Sequence, residues 1–175
     1  LASEFNYLRA DGLTEQVLQW SAETDNPDSV GTYYPTSLPG FHQESKTDVV
    51  GRTLTAADAA GVREYLGLQL NEKWWTFYAS DASWLDREAD FAIRLADDLL
   101  ARYGTHRSLA GWYLAFEPDN ENFLDAASWQ RMSDFYAKVA GHLHHMSPRL
   151  PVVVAPFYDA NGGQTPAQWR TMWAS

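Results

Sequence analysis

Two short segments of this sequence are apolar almost throughout, and each stops at a cluster of polar groups. Leu109-Ala110-Gly111-Trp112-Tyr113-Leu114-Ala115-Phe116 runs straight into Glu117-Pro118-Asp119-Asn120-Glu121-Asn122. Pro151-Val152-Val153-Val154-Ala155-Pro156-Phe157-Tyr158 runs into Asp159-Ala160-Asn161-Gly162-Gly163. A strand with one wet face alternates polar and apolar residues. These segments do not, so both of their faces must be covered, as in a parallel sheet flanked by helices. Between them, Ala127 to Met146 reads as an amphipathic helix. Phe135, Val139, Leu143 and Met146 form its stripe, Ser128 is its expected cap, and Pro148 follows its end.

The alternation continues toward the N-terminus. Trp84 to Tyr103 places Leu85, Ala89, Ala92 or Ile93, Ala96, and Leu99 or Leu100 at helical spacing. Ser83 is the expected cap of that helix, Asp86 and Glu88 its acidic first turn, Arg102 its basic last turn and Gly104 its close. Val62 to Leu70 is expected as a strand, and the alanine-rich Val49 to Gly61 as a short helix. Glu15 to Trp20 is a further strand, preceded by a helix end over Ser3 to Ala10 that Asp11-Gly12 closes. Two stretches break the rhythm. Residues 21–46, punctuated by Pro27, Gly31, Pro35 and Pro39-Gly40, are expected as one long loop, and Asn71 to Ser83 as a second, part of it helical. Thr165-Pro166-Ala167-Gln168-Trp169 opens a last helix.

Strand and helix in strict alternation mean an α/β fold with a parallel sheet and right-handed crossovers. An open doubly wound sheet and a barrel both satisfy that order. No Gly-x-Gly-x-x-Gly run follows the first strand and no phosphate-binding Gly-x-x-x-x-Gly-Lys run occurs, which removes weight from the nucleotide-binding sheets. The expected fold is therefore a (β/α)8 TIM barrel. Only four strands are legible where closure needs eight, so residues 1–175 are expected to be a single catalytic-type domain, incomplete at both ends.

Charge narrows the partners. Thirteen Lys and Arg against 23 Asp and Glu give a formal net charge of −10, with no basic stripe. Nucleic acid and anionic membrane surfaces, which reward positive charge, are excluded on this ground. No apolar run approaches the ~20 residues of a membrane helix, so no membrane insertion is expected. The absence of cysteine excludes disulfides and thiolate metal sites. A neutral, hydroxyl-rich ligand suits the balance, and no cofactor or metal is expected.

In parallel α/β folds ligands bind beyond the carboxyl ends of the strands. Four places qualify: Trp20 with the loop carrying Tyr33, Tyr34 and His42; Gln69 with Trp74 and Trp75; Glu117 with Asp119; and Tyr158 with Asp159. Each offers an aromatic face, and two offer carboxylates. Aromatic rings stack on the C–H faces of sugars while carboxylates take their hydroxyl hydrogen bonds. Glu117 is the sharpest of these signals. It ends an apolar strand, and apolar surroundings favour the protonated form that a general acid needs near neutral pH. The other reading of Glu117 is a carboxylate that caps the next helix or pairs with an arginine. Asp119 reads as a hydrogen-bonding or capping residue rather than a second catalytic group. Asp159 comes from a different strand end, which is geometrically better, but Asp-Ala-Asn-Gly-Gly also reads as a plain turn. Trp74 and Trp75 are adjacent, so one is expected in the core and the other at the cleft. His142, His144 and His145 read as a solvated helix end.

Gly111-Trp112-Tyr113-Leu114-Ala115-Phe116-Glu117-Pro118-Asp119 resembles the Gly-Trp-Tyr-…-Glu-x-Asp segment of the DUF4434 family, bacterial TIM-barrel proteins assigned to the glycoside hydrolases. Val17-Leu18-Gln19-Trp20 is similar to that family's second strand, Tyr65-Leu66-Gly67-Leu68 to its third, and Val153 to Tyr158 to its fifth. The resemblance implies that the chain covers about strands 2 to 5 of a barrel and that Glu117 ends the fourth. That is where the acid/base of the large retaining-glycosidase clan sits. In that clan asparagine usually precedes the acid; here Phe116 does.

The function expected is hydrolysis of a polysaccharide or exopolysaccharide. Glu117 is the expected general acid/base, and Trp20, Tyr33, Tyr34, His42, Trp74, Trp75, Asp119, Tyr158 and Asp159 are the expected substrate-binding residues. The alternative is a non-catalytic carbohydrate-binding barrel. An oligosaccharide or polysaccharide ligand favours a secreted or cell-envelope location over the cytoplasm.

Overall fold

The strands sort into two sheets that share a seam. In chain order the elements are helix α1 (Ala2–Ala10), strands β1 (Glu15–Leu18), β2 (Ala22–Glu23), β3 (Val30–Thr32) and β4 (Phe41–Gln43), helix α2 (Val49–Ala60), and strands β5 (Arg63–Gly67) and β6 (Gln69–Leu70). They continue with helices α3 (Trp74–Phe77) and α4 (Ala82–Tyr103), strand β7 (Leu109–Leu114), helix α5 (Ala126–Met146), strand β8 (Val152–Val154) and helix α6 (Pro166–Trp173). The computed structural model describes residues 1–174.

The main sheet has four strands in the order β1-β5-β7-β8, every pair parallel. Val17 sits opposite Tyr65, Leu66 opposite Trp112 and Tyr113 opposite Val153. Spatial order thus equals chain order. A doubly wound sheet reverses direction at a switch point; this one does not, and an α/β fold wound one way is the wall of a (β/α)8-like barrel. At two glycines the chain approaches a neighbouring strand closely: β5 nears the segment after β1, and β7 the segment before β8. A Cβ on Gly67 would lie 1.8 Å from the Gln19 carbonyl oxygen, and one on Gly111 would lie 2.6 Å from that of Pro151.

The segment expected as a loop from 21 to 46 is partly a sheet. It contributes β4, β3 and β2, in that order, to a second sheet whose last strand is β6. Strands β2 and β6 prolong β1 and β5 toward the carboxyl end, with Ala22 opposite Gln69. Ser21 locks the seam, its backbone N–H donating to the Leu68 carbonyl and its hydroxyl to the Gly67 carbonyl at 2.7 Å. Strands of two or three residues are too short to show a period of two, so composition and punctuation alone read as loop.

The two long helices also begin earlier than expected. Asp81, not Ser83, caps α4 by accepting from the Trp84 backbone N–H at 3.0 Å. Asp125, not Ser128, caps α5, accepting from both the backbone and the hydroxyl of Ser128. With α4 starting at Ala82, Asp86 and Glu88 fall beyond its first turn. Glu88 is buried and binds inward: it accepts from the Thr24 hydroxyl at 2.6 Å and the Asn71 amide at 2.8 Å, which ties α4 to the second sheet. Strand β8 is shorter than its apolar run, and its three valines are only partly buried, because it is an edge of the sheet among the described residues.

The core lies between the sheet and α4 and α5. Phe116 stacks on Trp74 at 5.0 Å between ring centres and on Trp84 at 5.4 Å, and packs against Phe135. Each such buried ring contributes about 1.5–3 kcal/mol relative to exposure. Trp112 reaches the far end of α5, donating from Nε1 to the Ser147 hydroxyl at 2.9 Å. Among the described residues, no helix is long and apolar enough to cross a membrane.

Candidate functional site

Side chains alternate across a strand. Trp112 and Phe116 point to the helices, so Tyr113 and Glu117 share the other face, which in a barrel is the interior. Glu117 follows β7 by three residues and is half-buried. The Tyr113 hydroxyl donates to its Oε1. Burial pushes the Tyr113 phenol well above its ordinary range, and its bond to Glu117 and that carboxylate's charge push it further, so Tyr113 remains a donor. Tyr136 of α5 donates to the Phe116 carbonyl at 2.9 Å and fixes the backbone just before Glu117.

Beyond Glu117 the chain is held by backbone bonds to the segment after β8 and by one buried amide. Asn120 has no exposed surface; its Nδ2 donates to the carbonyls of Asp159 at 3.0 Å, Gly162 at 2.8 Å and Gln164 at 3.1 Å, and its Oδ1 accepts from the Asp159 backbone N–H at 2.7 Å. It thereby joins the loop after β7 to the loop after β8. Gly163 belongs to this clamp, with a φ of +68° and no room for a Cβ, which would lie 2.1 Å from the Asn120 carbonyl oxygen. Nothing in the sequence marked Asn120, since a polar residue in a polar loop carries no pattern.

The two aspartates expected to meet substrate are engaged in these loops. Asp119 is 6 % exposed, and its Oδ1 accepts from the backbone N–H groups of Glu121 and Asn122 and from the Asn122 amide. A carboxylate so occupied is a turn former, the hydrogen-bonding role that its sequence setting also suggested. Asp159 likewise spends Oδ1 on the Asn161 backbone and amide, the plain turn that its sequence also suggested.

Two expected aromatic contacts are corrected. Tyr34 and Trp74 have no exposed surface. Tyr34 packs edge-on against Tyr103 of α4, and Trp74 fills the core beside Phe116, so neither offers a ring face to a ligand. The neighbouring Trp75 is 52 % exposed, which divides the adjacent pair as their opposite directions require. Trp75 meets Tyr78 edge-on at 6.4 Å. Tyr78, with a φ of 45°, is the one non-glycine residue of positive φ among the described residues. Its phenol is pushed up by burial and by the charges of Asp119 and Glu121, so this wall stands beside the loop that follows Glu117. Tyr158 and Phe157, the latter not expected from sequence, are exposed past β8.

Trp20, Tyr33 and His42 form a separate group past β1. Trp20 is half-buried there, and the Tyr33 hydroxyl donates to Glu23. Burial, followed by Glu23 and Glu44, pushes the Tyr33 phenol up to about 12. His42 bridges Glu44 through Nε2 at 2.8 Å and Ser29 through Nδ1 at 3.2 Å. Glu23 and Glu44 escaped the sequence reading because the strands that carry or precede them are too short to announce which way a side chain points. The three histidines of α5 divide: His142 binds Asp97 of α4 at 2.7 Å, while His144 and His145 occupy the last turn.

This arrangement can hold a ligand between aromatic faces and present one oriented carboxyl to it. The model of a domain of unknown function, DUF4434, matches residues 2–175. The chain belongs to the DUF4434 family. No curated protein matches it by sequence. Among solved structures this DUF4434 protein is similar to a candidate α-L-fucosidase from Bacteroides thetaiotaomicron, with TM-score 0.68 and 20 % identity over 89 % of this chain and 44 % of that one. It is similar to α-L-fucosidase isoenzyme 2 from Paenibacillus thiaminolyticus, with TM-score 0.60 and 16 % identity over 98 % of this chain and 31 % of that one. An endo-1,4-β-mannanase from Eisenia fetida aligns with TM-score 0.59 and 15 % identity over 89 % of this chain and 49 % of that one. At these identities the likeness is one of fold. The DUF4434 chain spans less than half the length of each of these three solved chains.

Proposed function

We propose that this DUF4434 chain carries part of the active site of a glycoside hydrolase acting on a polysaccharide or exopolysaccharide, with Glu117 as general acid/base. In this reading β1, β5, β7 and β8 are the second to fifth strands of a (β/α)8 barrel. The observation that carries it is the setting of Glu117: on the inner face beyond the carboxyl end of β7, half-buried, with Tyr113 bonded to one carboxyl oxygen. Trp75 and Tyr158 supply exposed rings for stacking, and Trp20, Tyr33 and His42 a further set past β1. The solved structures of similar fold are named as fucosidases and a mannanase, which supports a carbohydrate ligand.

A second reading is a non-catalytic carbohydrate-binding barrel. It is favoured by Phe116, which stands where the retaining-glycosidase clan usually has asparagine before the acid, and by the engagement of Asp119 in a local turn. Glu117→Gln separates the two readings. On a panel of soluble polysaccharides, the hydrolase reading expects reducing-end release to fall on the order of 10²–10⁴-fold while glycan binding survives. Full turnover in the variant would remove Glu117 from the reaction. Glycan binding with no turnover in the unaltered protein would favour the binding barrel.

A further inference from the structure

The interior face of β7 carries two polar groups, and only Glu117 has so far been given a task. Tyr113 stands four residues before it on the same face, 5 % exposed, with its hydroxyl on Glu117 Oε1. A glutamate has three rotatable side-chain bonds, and one past the end of a strand is free to use them. Here the ring of Tyr113 is immobilised by burial, and the backbone before Glu117 is held by the Tyr136 hydroxyl on the Phe116 carbonyl. The carboxyl is therefore held from both ends, by its own backbone and by a phenol.

We propose that Tyr113 is a positioning residue for Glu117: its hydroxyl, held by the buried ring, aims the carboxyl into the cleft and stays bonded to Oε1 while the proton is passed. The role rests on the hydrolase reading of Glu117. As the glycosidic C–O bond breaks, its electron pair goes to the leaving oxygen, which takes the proton from Glu117. In the inverting course water then bonds to the anomeric carbon and gives its proton to a second carboxylate; in the retaining course that carboxylate bonds first and is displaced by water, whose proton returns to Glu117. The hydrogen bond from Tyr113 strengthens as negative charge gathers on Glu117, so it is worth more after proton release than before, which is the condition for lowering a barrier. Tyr113 keeps its own proton throughout, because burial and the neighbouring carboxylate hold its ionisation far above neutral pH. Phe116, just before Glu117, is turned to the helices and gives the carboxyl no polar contact, whereas Tyr113 does.

The test is a titration of the Glu117 carboxyl by carbon NMR in the full chain, with glutamate carboxyls labelled and the signal assigned by its loss in Glu117→Gln. Tyr113→Phe removes one oxygen and keeps the ring. Its Glu117 midpoint is expected to move upward, because the carboxylate loses a donor. In an active enzyme kcat falls with KM little changed, and the alkaline limb of the kcat/KM profile moves up with the carboxyl. A second readout needs no substitution at Tyr113: in Glu117→Gln, tyrosinate absorbance should show one tyrosine ionising at lower pH. An unmoved carboxyl midpoint, or an unmoved tyrosinate curve, overturns the proposal. Absence of turnover in the unaltered protein sinks the hydrolase reading whatever the titrations show, whereas an active enzyme whose midpoint does not move sinks only the role of Tyr113.

Discussion

Asn120 makes four hydrogen bonds with one side chain, three of them to carbonyl oxygens of the 159–164 loop. Asn120→Ala leaves those carbonyls without their donor and removes the acceptor of the Asp159 N–H. We expect a loss of about 2–4 kcal/mol, since each unsatisfied buried group costs roughly 1–3 kcal/mol. Hydrogen exchange should quicken from Asp159 to Gln164 first, and unchanged exchange there would show that the loop does not depend on the clamp. Residue by residue, the candidate site was only partly legible. Glu117 was visible because an apolar strand ends on it. Trp74 and Trp75 were visible as a pair, but only packing decides that Trp74 is buried and Trp75 exposed. Tyr34 was misread because an aromatic in a polar, proline-punctuated segment resembles a surface ring, whereas the second sheet encloses it. Asn120, Glu23 and Glu44 carried no signal, since their roles come from partners 10 to 44 residues away or from a neighbour on a three-residue strand.

Among the elements, those with a long period were read well. Helices α4 and α5 span five or more turns, and their apolar stripes survive an error of two or three residues at the start. The errors lay at those starts: Asp81 and Asp125 lie outside the apolar pattern, and Ser83 and Ser128 are equally good cap residues on paper. Strand β7 was found because it is interior to the sheet and apolar on both faces, and β5, with Arg63 and Glu64 at its start, because Gly61 ends the helix before it. Strands β2, β3 and β4 were missed, each being at most three residues long. Strand β8 was found but overextended, because Pro156, Phe157 and Tyr158 keep the apolar composition after the ladder has ended.

At the scale of the whole molecule, two buried carboxyls govern the response to pH. Glu64 of β5 has no exposed surface, and neither of its oxygens accepts a well-formed hydrogen bond. Burial pushes its carboxyl up to about 7, against weaker pulls from the Gln16 side chain and the Leu18 backbone N–H. Burial also pushes Glu88 up to about 7, although Thr24, Asn71 and Gln69 oppose the shift. In the unfolded chain both titrate near the ordinary 4.5. Between these values the folded state binds more protons than the unfolded one, so stability falls as pH rises. The contribution is fully present below pH 4.5 and is lost through pH 7, at up to about 1.4 kcal/mol per pH unit for each group. Asp58, held down mainly by its bonds to Ser108 and His106, works the other way and loses stability only at lower pH. Urea midpoints measured from pH 4 to 8 should therefore decline across that window. Glu64→Gln should flatten the decline, and an equally steep decline in that variant would place the proton elsewhere.

The central claim is that Glu117 works as an acid/base at the mouth of a barrel, and its most direct test is a distance. In a crystal structure of the full-length protein with a bound oligosaccharide, the Glu117 carboxyl should face a second carboxyl across the sugar bond, at ~5 Å for a retaining hydrolase or ~6.5–9.5 Å for an inverting one. A glycan seated on Trp75 and Tyr158 with no second carboxyl within ~9.5 Å of Glu117 would contradict the account and leave a binding barrel in its place.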